Sequence, residues 1–133
     1  MFTKPALSLA DAHRMLAACK AEAEKNGWKV TVAVVDDGGF PLLIERADGA
    51  PVQSPAIALG KARTSALSRT PTKLLEEAVK DRPALLSFPD RMPVQGGLPL
   101  LSEGVCVGAI GVSGVKSHED EQVALAGKTA MGL

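Results

Sequence analysis

The stretch VCVGAIGVSG, residues 105–114, decides the fold of this chain. It contains no charged residue, and its β-branched side chains are typical of a strand that is buried on both faces. Gly108, Gly111 and Gly114 recur at every third position, and a glycine inside a strand lets another backbone, a helix or a ligand approach closely. The polar run 116–121 follows and predicts the start of a helix. We therefore expect a central strand that ends beside a helix N-terminus.

Helix and strand signals alternate along the rest of the chain. Apolar residues at steps of three and four indicate amphipathic helices, and the turn DDGG at 36–39 between two apolar runs indicates a β-hairpin. Ser8 with Asp11 resembles a capping box, and Ser54 followed by Pro55 resembles an N-cap with proline at the first helical position. The predicted elements are helices beginning at Ser8, Ser54, Thr70 and Ser117, the last with Asp120 at the capping-box position, strands at 30–35 and 41–46, two short strand pieces in 94–101, and the central strand.

This element order predicts an α+β fold. Hairpins join the strands near both ends of the chain, so most strand pairing should be antiparallel. We expect one sheet of about five strands with helices packed on it. A length of 133 residues and the lack of a linker or repeat indicate a single domain, 1–133.

Composition limits the classes of function. The chain has 15 basic and 15 acidic residues and no basic stripe with interleaved aromatics, so nucleic acid is not expected as a partner. No apolar run approaches the length of a membrane span, so no membrane partner is expected. Cys19 and Cys106 do not form a C-x-x-C pair and fall in an apolar helix stripe and the apolar central strand, which favours a reducing cytoplasm.

Nucleophiles and metal ligands give weak signals. Ser113, His118 and Asp120 contain the residue types of a catalytic triad, but a polar turn and a helix cap explain them equally well. Cys106, in an apolar strand, should be an inert thiol. His118 with the three carboxylates after it could form a weak surface metal site, although acidic residues in a first helical turn also stabilise the helix dipole.

His13 and a set of polar residues are the candidate ligand-binding groups. His13 borders the apolar stripe of the first helix, and a neutral imidazole there could be an axial ligand of haem iron. Arg46, Ser54 at its helix start, Lys61 and the flexible pair Gly96–Gly97 together describe a pocket for a carboxylate. The alternative is equally open at this point: Arg46 pairs with Asp48, Ser54 is only a cap, and Lys61 is exposed.

Four segments resemble the GlcG/HbpS-like haem-binding family, which includes the C-terminal domain of PduO-type adenosyltransferases. They cover nearly the whole chain in the family's order. Glu119 departs from the pattern, because the family commonly has Gln there, and His13 lies outside the motifs. The segments are VAVVDDGG at 32–39, RADGA at 46–50 with Ser54, IA at 57–58 and KART at 61–64, GGLP at 96–99, and GAIGVSG at 108–114 with DE at 120–121 and ALAG at 124–127.

The resemblance implies a profilin-like fold with a five-stranded antiparallel sheet flanked by helices. It also implies a homo-oligomer, often an octamer. Some members bind haem or a related tetrapyrrole, and many are encoded beside catabolic enzymes. Haem is therefore the cofactor that the resemblance suggests, with His13 as its candidate iron ligand.

Three functions remain open from the sequence. In the first, the chain binds haem or a tetrapyrrole, and Arg46 or Lys61 pairs with the propionates. In the second, it is a small catabolic enzyme, a tautomerase or an imine or lactone hydrolase. Arg46 and Ser54 would then hold a carboxylate, Lys61 or Asp48 would move protons, and Gly97 would contribute its N–H. Ser113 and Gly114 are candidate lining residues. In the third, the chain is an oligomeric module without a ligand.

Overall fold

The computed structural model describes all residues 1–133. It contains four α-helices, a short 3₁₀ helix and four strands. In chain order these are α1 (Leu9–Lys25), β1 (Thr31–Asp36), β2 (Pro41–Arg46), α2 (Ser54–Ser68), α3 (Thr72–Asp81), the 3₁₀ helix Pro83–Ser87, β3 (Gly97–Ser102), β4 (Val105–Ser113) and α4 (Ser117–Met131). The α+β class expected from the sequence is confirmed.

The sheet has four strands in the order β2-β1-β4-β3, and every neighbouring pair is antiparallel. The prediction of five strands was wrong. Only one of the two pieces expected in 94–101 is a strand, because the chain turns at Gly96, whose φ is +132°, and pairing with β4 starts at Gly97. Val94 and Gln95 therefore stay outside the sheet.

The stretch 105–114 forms the interior strand β4, as its composition predicts. It pairs with β1 on one side and with β3 on the other. All residues of β4 after Val105 are buried. A strand covered on both faces needs an uninterrupted apolar sequence, because any charged side chain would lose its hydration.

Helices cover the two faces of the sheet differently. On one face α1 and α4 pack over large side chains that include Val32, Val34, Ile110 and Val112. On the other face α2 packs through alanines onto Ala33, Val35 and Ala109, and this second core contains small residues almost exclusively. A Cβ added at Gly111 would lie 2.1 Å from the carbonyl oxygen of Ala58 in α2. Gly111 of β4 thus sets how closely α2 approaches the sheet.

Helix starts agree with the sequence signals only in part. At α1 the Ser8 hydroxyl accepts from the Asp11 N–H and the Asp11 carboxylate accepts from the Ser8 N–H, so the predicted capping box is confirmed. The predicted cap at Ser54 was wrong, because Gln53 is the N-cap and Ser54 is already helical. α4 begins at Ser117 as expected, but the carboxylate that returns to the Lys116 N–H is Glu119, not Asp120.

None of the helices has both the length and the apolar character needed to cross a membrane.

Candidate functional site

A cleft of about 420 Å³ opens between α1 and the region where β1 starts and β2 ends. Its volume falls within the roughly 300–1,000 Å³ typical of small-molecule sites. Half of its twelve lining residues are hydrophobic and the other half are charged. The lining consists of Leu16, Lys20, Ala23, Glu24, Trp28, Lys29, Val30, Val32, Glu45, Arg46, Ala47 and Asp48.

Two ionised side chains close one part of this cleft. Lys20 of α1 and Glu45 of β2 form an ion pair with 2.8 Å between Nζ and Oε1. The hydrogen bond and the charge of Glu45 raise the pKa of Lys20 above its ordinary value. Because both side chains are more than two-fifths exposed, water screens this pair, and it orients the walls more than it stabilises the fold.

Arg46 and Lys29 are the cations of the cleft without an acidic partner. Neither forms a salt bridge or a side-chain hydrogen bond in the structure. In particular Arg46 and Asp48, both exposed, line the same cleft without pairing. These two positive charges are therefore available to an anionic ligand that contacts the apolar floor.

Ser54 lies inside the protein rather than in the cleft. It is fully buried, and its hydroxyl is 2.8 Å from the Thr31 hydroxyl and 2.6 Å from the Pro51 carbonyl oxygen, to which it donates. Its backbone N–H donates to the same Pro51 carbonyl. The hydroxyl and the N–H predicted to face an anion thus both have partners within the protein.

Lys61 is buried at 2% exposure and pairs with Asp120, also at 2%. Its Nζ lies 2.9 Å from Asp120 Oδ2 and donates to the carbonyl oxygen of Val112 at 3.0 Å. The other carboxylate oxygen of Asp120 accepts from the Val115 N–H at 3.1 Å. Burial raises the pKa of Asp120 above its ordinary value, while the hydrogen bonds from Lys61 and Val115 oppose the rise. The alternative of an exposed Lys61 is wrong, because the small residues around it in α2 let the helix pack closely on the sheet.

Gly96 and Gly97 lie against Lys61 and do not form an open anion-binding pocket. A Cβ at Gly96 would lie 2.8 Å from Lys61 Nζ, and one at Gly97 would lie 2.5 Å from the Lys61 carbonyl oxygen. The Gly97 N–H donates to the Thr72 hydroxyl at 2.8 Å. The glycine pair thus makes room for a buried lysine.

Ser113 and Gly114 lie behind the cleft rather than in it. Ser113 is 7% exposed at the end of β4. A Cβ at Gly114 would lie 2.4 Å from the carbonyl oxygen of Lys29, so Gly114 supports the backbone of a cleft residue. Neither residue belongs to the cleft lining.

The two histidines are exposed and lie on different helices. His13 of α1 stands seven residues before Lys20, a spacing that puts both on the same side of the helix, but it is not among the residues that line the cleft. His118 has no triad partner in Asp120, because that carboxylate is bonded to Lys61 and Val115. No group of three or more His, Cys, Asp or Glu side chains is arranged to hold a metal ion.

Both cysteines are free and buried. Burial raises the pKa of the Cys19 thiol to about 12, so it stays protonated at neutral pH. Cys106 is 7% exposed in β4, and its sulfur lies 3.4 Å from the Gly108 carbonyl oxygen.

Of the residues predicted for a site, Arg46 and Asp48 line the cleft, and its other lining residues were not predicted. Lys20 and Lys29 belong to no motif that marks a site, and Trp28 follows the end of α1. The lone tryptophan directly beside a helix end and a strand start was a usable signal, since large aromatic rings often line sites. Asp120 was missed as the partner of Lys61, because 59 residues separate them.

The fold and the cleft define a small α+β protein with a partly charged ligand-sized surface site. A family model described as "Haem degrading protein HbpS-like" matches residues 7–129. The chain belongs to this HbpS-like family.

Individual relatives agree with this assignment. Protein GlcG of Escherichia coli K12 is 42% identical over 114 residues, which are 85% of each chain. The crystal structure of a double mutant of HbpS from Streptomyces reticuli has a TM-score of 0.94 at 36% identity, and the match covers 100% of this chain and 92% of that one. A crystallised complex of PduOC with haem has a TM-score of 0.87 at 26% identity, with 95% of each chain covered.

Proposed function

We propose that this chain binds haem or a related tetrapyrrole at the cleft between α1 and β2. The observation that carries the proposal is the apolar floor bordered by two unpaired cations, Lys29 and Arg46. The family description names haem, and the PduOC relative was crystallised with it. These two findings support the choice of ligand class.

The chemistry of the cleft suits an amphipathic macrocycle. A tetrapyrrole such as haem has a flat apolar face and carboxylates at one edge. Apolar side chains including Leu16 and Trp28 would cover part of the face, and burial of apolar surface contributes about 25 cal/mol per Å². Lys29 and Arg46 would pair with the carboxylates, and Arg can do so through two parallel hydrogen bonds.

His13 is the protein's best candidate for the iron ligand. Its ring is exposed and lies on the same side of α1 as Leu16 and Lys20, which line the cleft. Leu16 follows it by three residues, or about 4.5 Å of helix rise, so a ligand larger than the cleft would extend toward the imidazole. His13 would hold the iron of a bound haem through its neutral imidazole, a nitrogen ligand that haem iron commonly accepts.

Titration of the purified chain with hemin, followed by absorbance, tests the proposal. We expect a shifted and sharpened Soret band with saturable binding. Arg46→Ala and Lys29→Ala should each weaken binding about tenfold, the value of one charge-assisted hydrogen bond. His13→Ala should change the position of the Soret band more than the affinity.

Matched controls separate the site from general effects. Arg14→Ala removes a neighbouring cation from the exposed side of α1, and His118→Ala removes the other exposed histidine; neither should alter the titration. A wild-type chain without a Soret shift would refute the proposal. Equal losses in Arg46→Ala and Arg14→Ala would refute the cleft as the site.

A small catabolic enzyme acting on an organic acid is the second candidate. It is favoured by the presence of Arg46 and Asp48 in one cleft without a mutual ion pair, which leaves one group to hold a carboxylate and another to move a proton. Lys61 could transfer a proton, and Ser54 could bind a carboxylate, only if the protein interior around them opened to solvent. A thermal-shift screen with small carboxylic acids tests it: a stabilising acid whose effect disappears in Arg46→Ala and Asp48→Asn supports this function.

Other features of the family enter as proposals of the same kind. We expect the profilin-like class, a homo-oligomer that reaches an octamer, and residence in the reducing cytosol, which two free buried thiols support. If neither hemin nor a carboxylic acid binds, the oligomeric module without a ligand is the function that remains.

A further inference from the structure

A second cavity, of about 270 Å³, lies between the end of α2 and the segment that carries α3 and the 3₁₀ helix. It shares no lining residue with the cleft between α1 and β2. Its volume is just below the roughly 300–1,000 Å³ typical of small-molecule sites, so the cavity suits a small ligand. The lining includes Ser68, Thr70, Leu75, Leu85, Phe88 and Arg91.

The segment 73–91 forms the outer wall of this cavity and is held to the body of the protein beside its two ends. Before it, the Thr72 hydroxyl accepts from the Gly97 N–H at 2.8 Å. After it, the Met92 N–H donates to the Thr64 hydroxyl at 2.6 Å. No residue between these anchors is buried, although the segment contains several leucines. A ligand held between this segment and α2 would therefore bury apolar surface that the fold leaves partly exposed.

Arg91 is the only ionisable residue in the lining of this cavity. It forms no salt bridge, and the acid next to it in sequence, Asp90, pairs with Arg63 instead at 3.7 Å. Its Cζ lies 5.9 Å from the centroid of the Phe88 ring, which is 49% exposed. A free guanidinium beside an exposed aromatic ring matches a carboxylate on an aromatic body. The guanidinium can bind the carboxylate through two parallel hydrogen bonds, and the two rings can pack together.

The two hydroxyl groups of the lining restrict the ligand further. The Ser68 hydroxyl donates to the Thr64 carbonyl oxygen at 2.6 Å, and the Thr70 hydroxyl donates to the Ser68 carbonyl oxygen at 2.8 Å. Because a hydroxyl has a single hydrogen, both oxygens are left only as acceptors. They can accept from a hydroxyl on the ligand, but they offer no donor to a second carboxylate.

We propose that this cavity binds an aromatic monocarboxylate, with its carboxylate on Arg91 and its ring against Phe88 and the leucines of the 73–91 segment. A ligand in this position contacts both α2 and the segment, so it should protect the segment's amides from hydrogen exchange. The proposal does not depend on haem, because the cavity and the cleft between α1 and β2 have no residue in common.

Titration of the full chain with benzoate, followed by the NMR shifts of its backbone amides, tests the proposal. We expect saturable shifts within residues 68–93. Arg91→Gln should weaken binding at least about tenfold, since the charge-assisted hydrogen bonds to the carboxylate are lost. Para-hydroxybenzoate should bind at least as tightly as benzoate. Terephthalate, which has a second carboxylate, and benzamide, which has no charge, should both bind more weakly.

Two variants and a second measurement serve as controls. Arg82→Gln removes an exposed cation of the same segment that is not part of the lining, and Arg46→Ala removes a cation of the other cleft. Neither should change the affinity for benzoate. In the wild type, benzoate should slow hydrogen exchange of the amides in 73–88, and it should not do so in Arg91→Gln.

The absence of saturable benzoate binding at millimolar concentration overturns the proposal. Shifts confined to residues outside 68–93 overturn it without any variant. Binding that survives unchanged in Arg91→Gln also overturns it. Binding that is lost in Arg46→Ala does the same, since the carboxylate would then lie in the cleft between α1 and β2.

Discussion

Lys61 of α2 and Asp120 of α4 form a buried ion pair, with 2.9 Å between Nζ and Oδ2, although their helices pack on opposite faces of the sheet. The lysine side chain passes the end of β4, where it also bonds the Val112 carbonyl, and only glycine at position 96 leaves room for it. The pair therefore ties the two helical layers together through the strand edge. It is the only salt bridge of the protein in which both side chains are buried.

Lys61→Met should destabilise the fold by about 3–5 kcal/mol, because it leaves the Asp120 carboxylate buried without its counter-ion. The double variant Lys61→Met/Asp120→Asn should recover a large part of this loss, since no charge then remains buried. Urea unfolding monitored by circular dichroism gives both values.

Lys73→Met is the control for Lys61→Met, because Lys73 is exposed on α3 and makes no ion pair. Its free energy of unfolding should stay within about 0.5 kcal/mol of the wild type. Additive losses in the double variant would contradict a mutual pair.

Gly111→Ala should cost about 3 kcal/mol or more, at the upper end of the range for overpacking. The new Cβ would lie 2.1 Å from the Ala58 carbonyl oxygen and 2.5 Å from the Ala62 nitrogen, and backbone atoms cannot rotate away as a side chain can. The midpoint of thermal unfolding measures the effect. Gly38→Ala is the comparison, since its nearest neighbour is the flexible Phe40 ring at 3.4 Å. If both variants melt alike, close packing of α2 on β4 is not limiting.

Thr72→Val should destabilise the chain by about 1–3 kcal/mol, because the N–H of Gly97 would lose its only acceptor inside the protein. Valine has nearly the same shape, so packing changes little. Thr72→Ser keeps the hydroxyl and should retain most of the stability. Chemical denaturation of the three proteins side by side provides the measurement, and a Thr72→Val variant as stable as the wild type would contradict the role of the hydroxyl.

Cys19 should resist alkylation in the folded protein. Its thiol pKa is raised from 9.0 to about 12, so at pH 8 the thiolate fraction is about a thousandfold lower than in the unfolded chain. Iodoacetamide labelling of the Cys106→Ala variant, which leaves Cys19 as the only thiol, should be correspondingly slow until denaturant is added. Rapid labelling under native conditions would contradict the raised pKa.

The same shift fixes the sign of a pH effect on stability. The folded state keeps the Cys19 proton at a pH where the unfolded state has lost it, so the thiol's contribution is complete below about pH 9 and falls as pH rises toward 12. Unfolding curves at pH 8 and pH 10 should therefore differ less in Cys19→Ala than in the wild type. A larger difference in the variant would reverse this sign.

Most secondary structure could be predicted because its signals are local. The capping box of Ser8 and Asp11 and the apolar run of β4 each act over a few residues, and both agree with the structure. The prediction of a fifth strand was wrong for a local reason of another kind. The positive φ of Gly96 is a conformation that the sequence permits without requiring it. Arg46 and Asp48 could be placed together because only one residue separates them.

The sequence by itself determined the α+β class, the interior position of β4 and the family. Hydrophobic periodicity, turn residues and the order of the motifs are all local features that can be read directly from the sequence. Only the tertiary structure decided that Lys61 is buried against Asp120, that Ser54 faces Thr31, and that Lys20, Lys29 and Trp28 complete a cleft with Arg46. The physical reason is distance along the chain. Whether a polar side chain is solvated or buried depends on residues that folding brings beside it from tens of positions away.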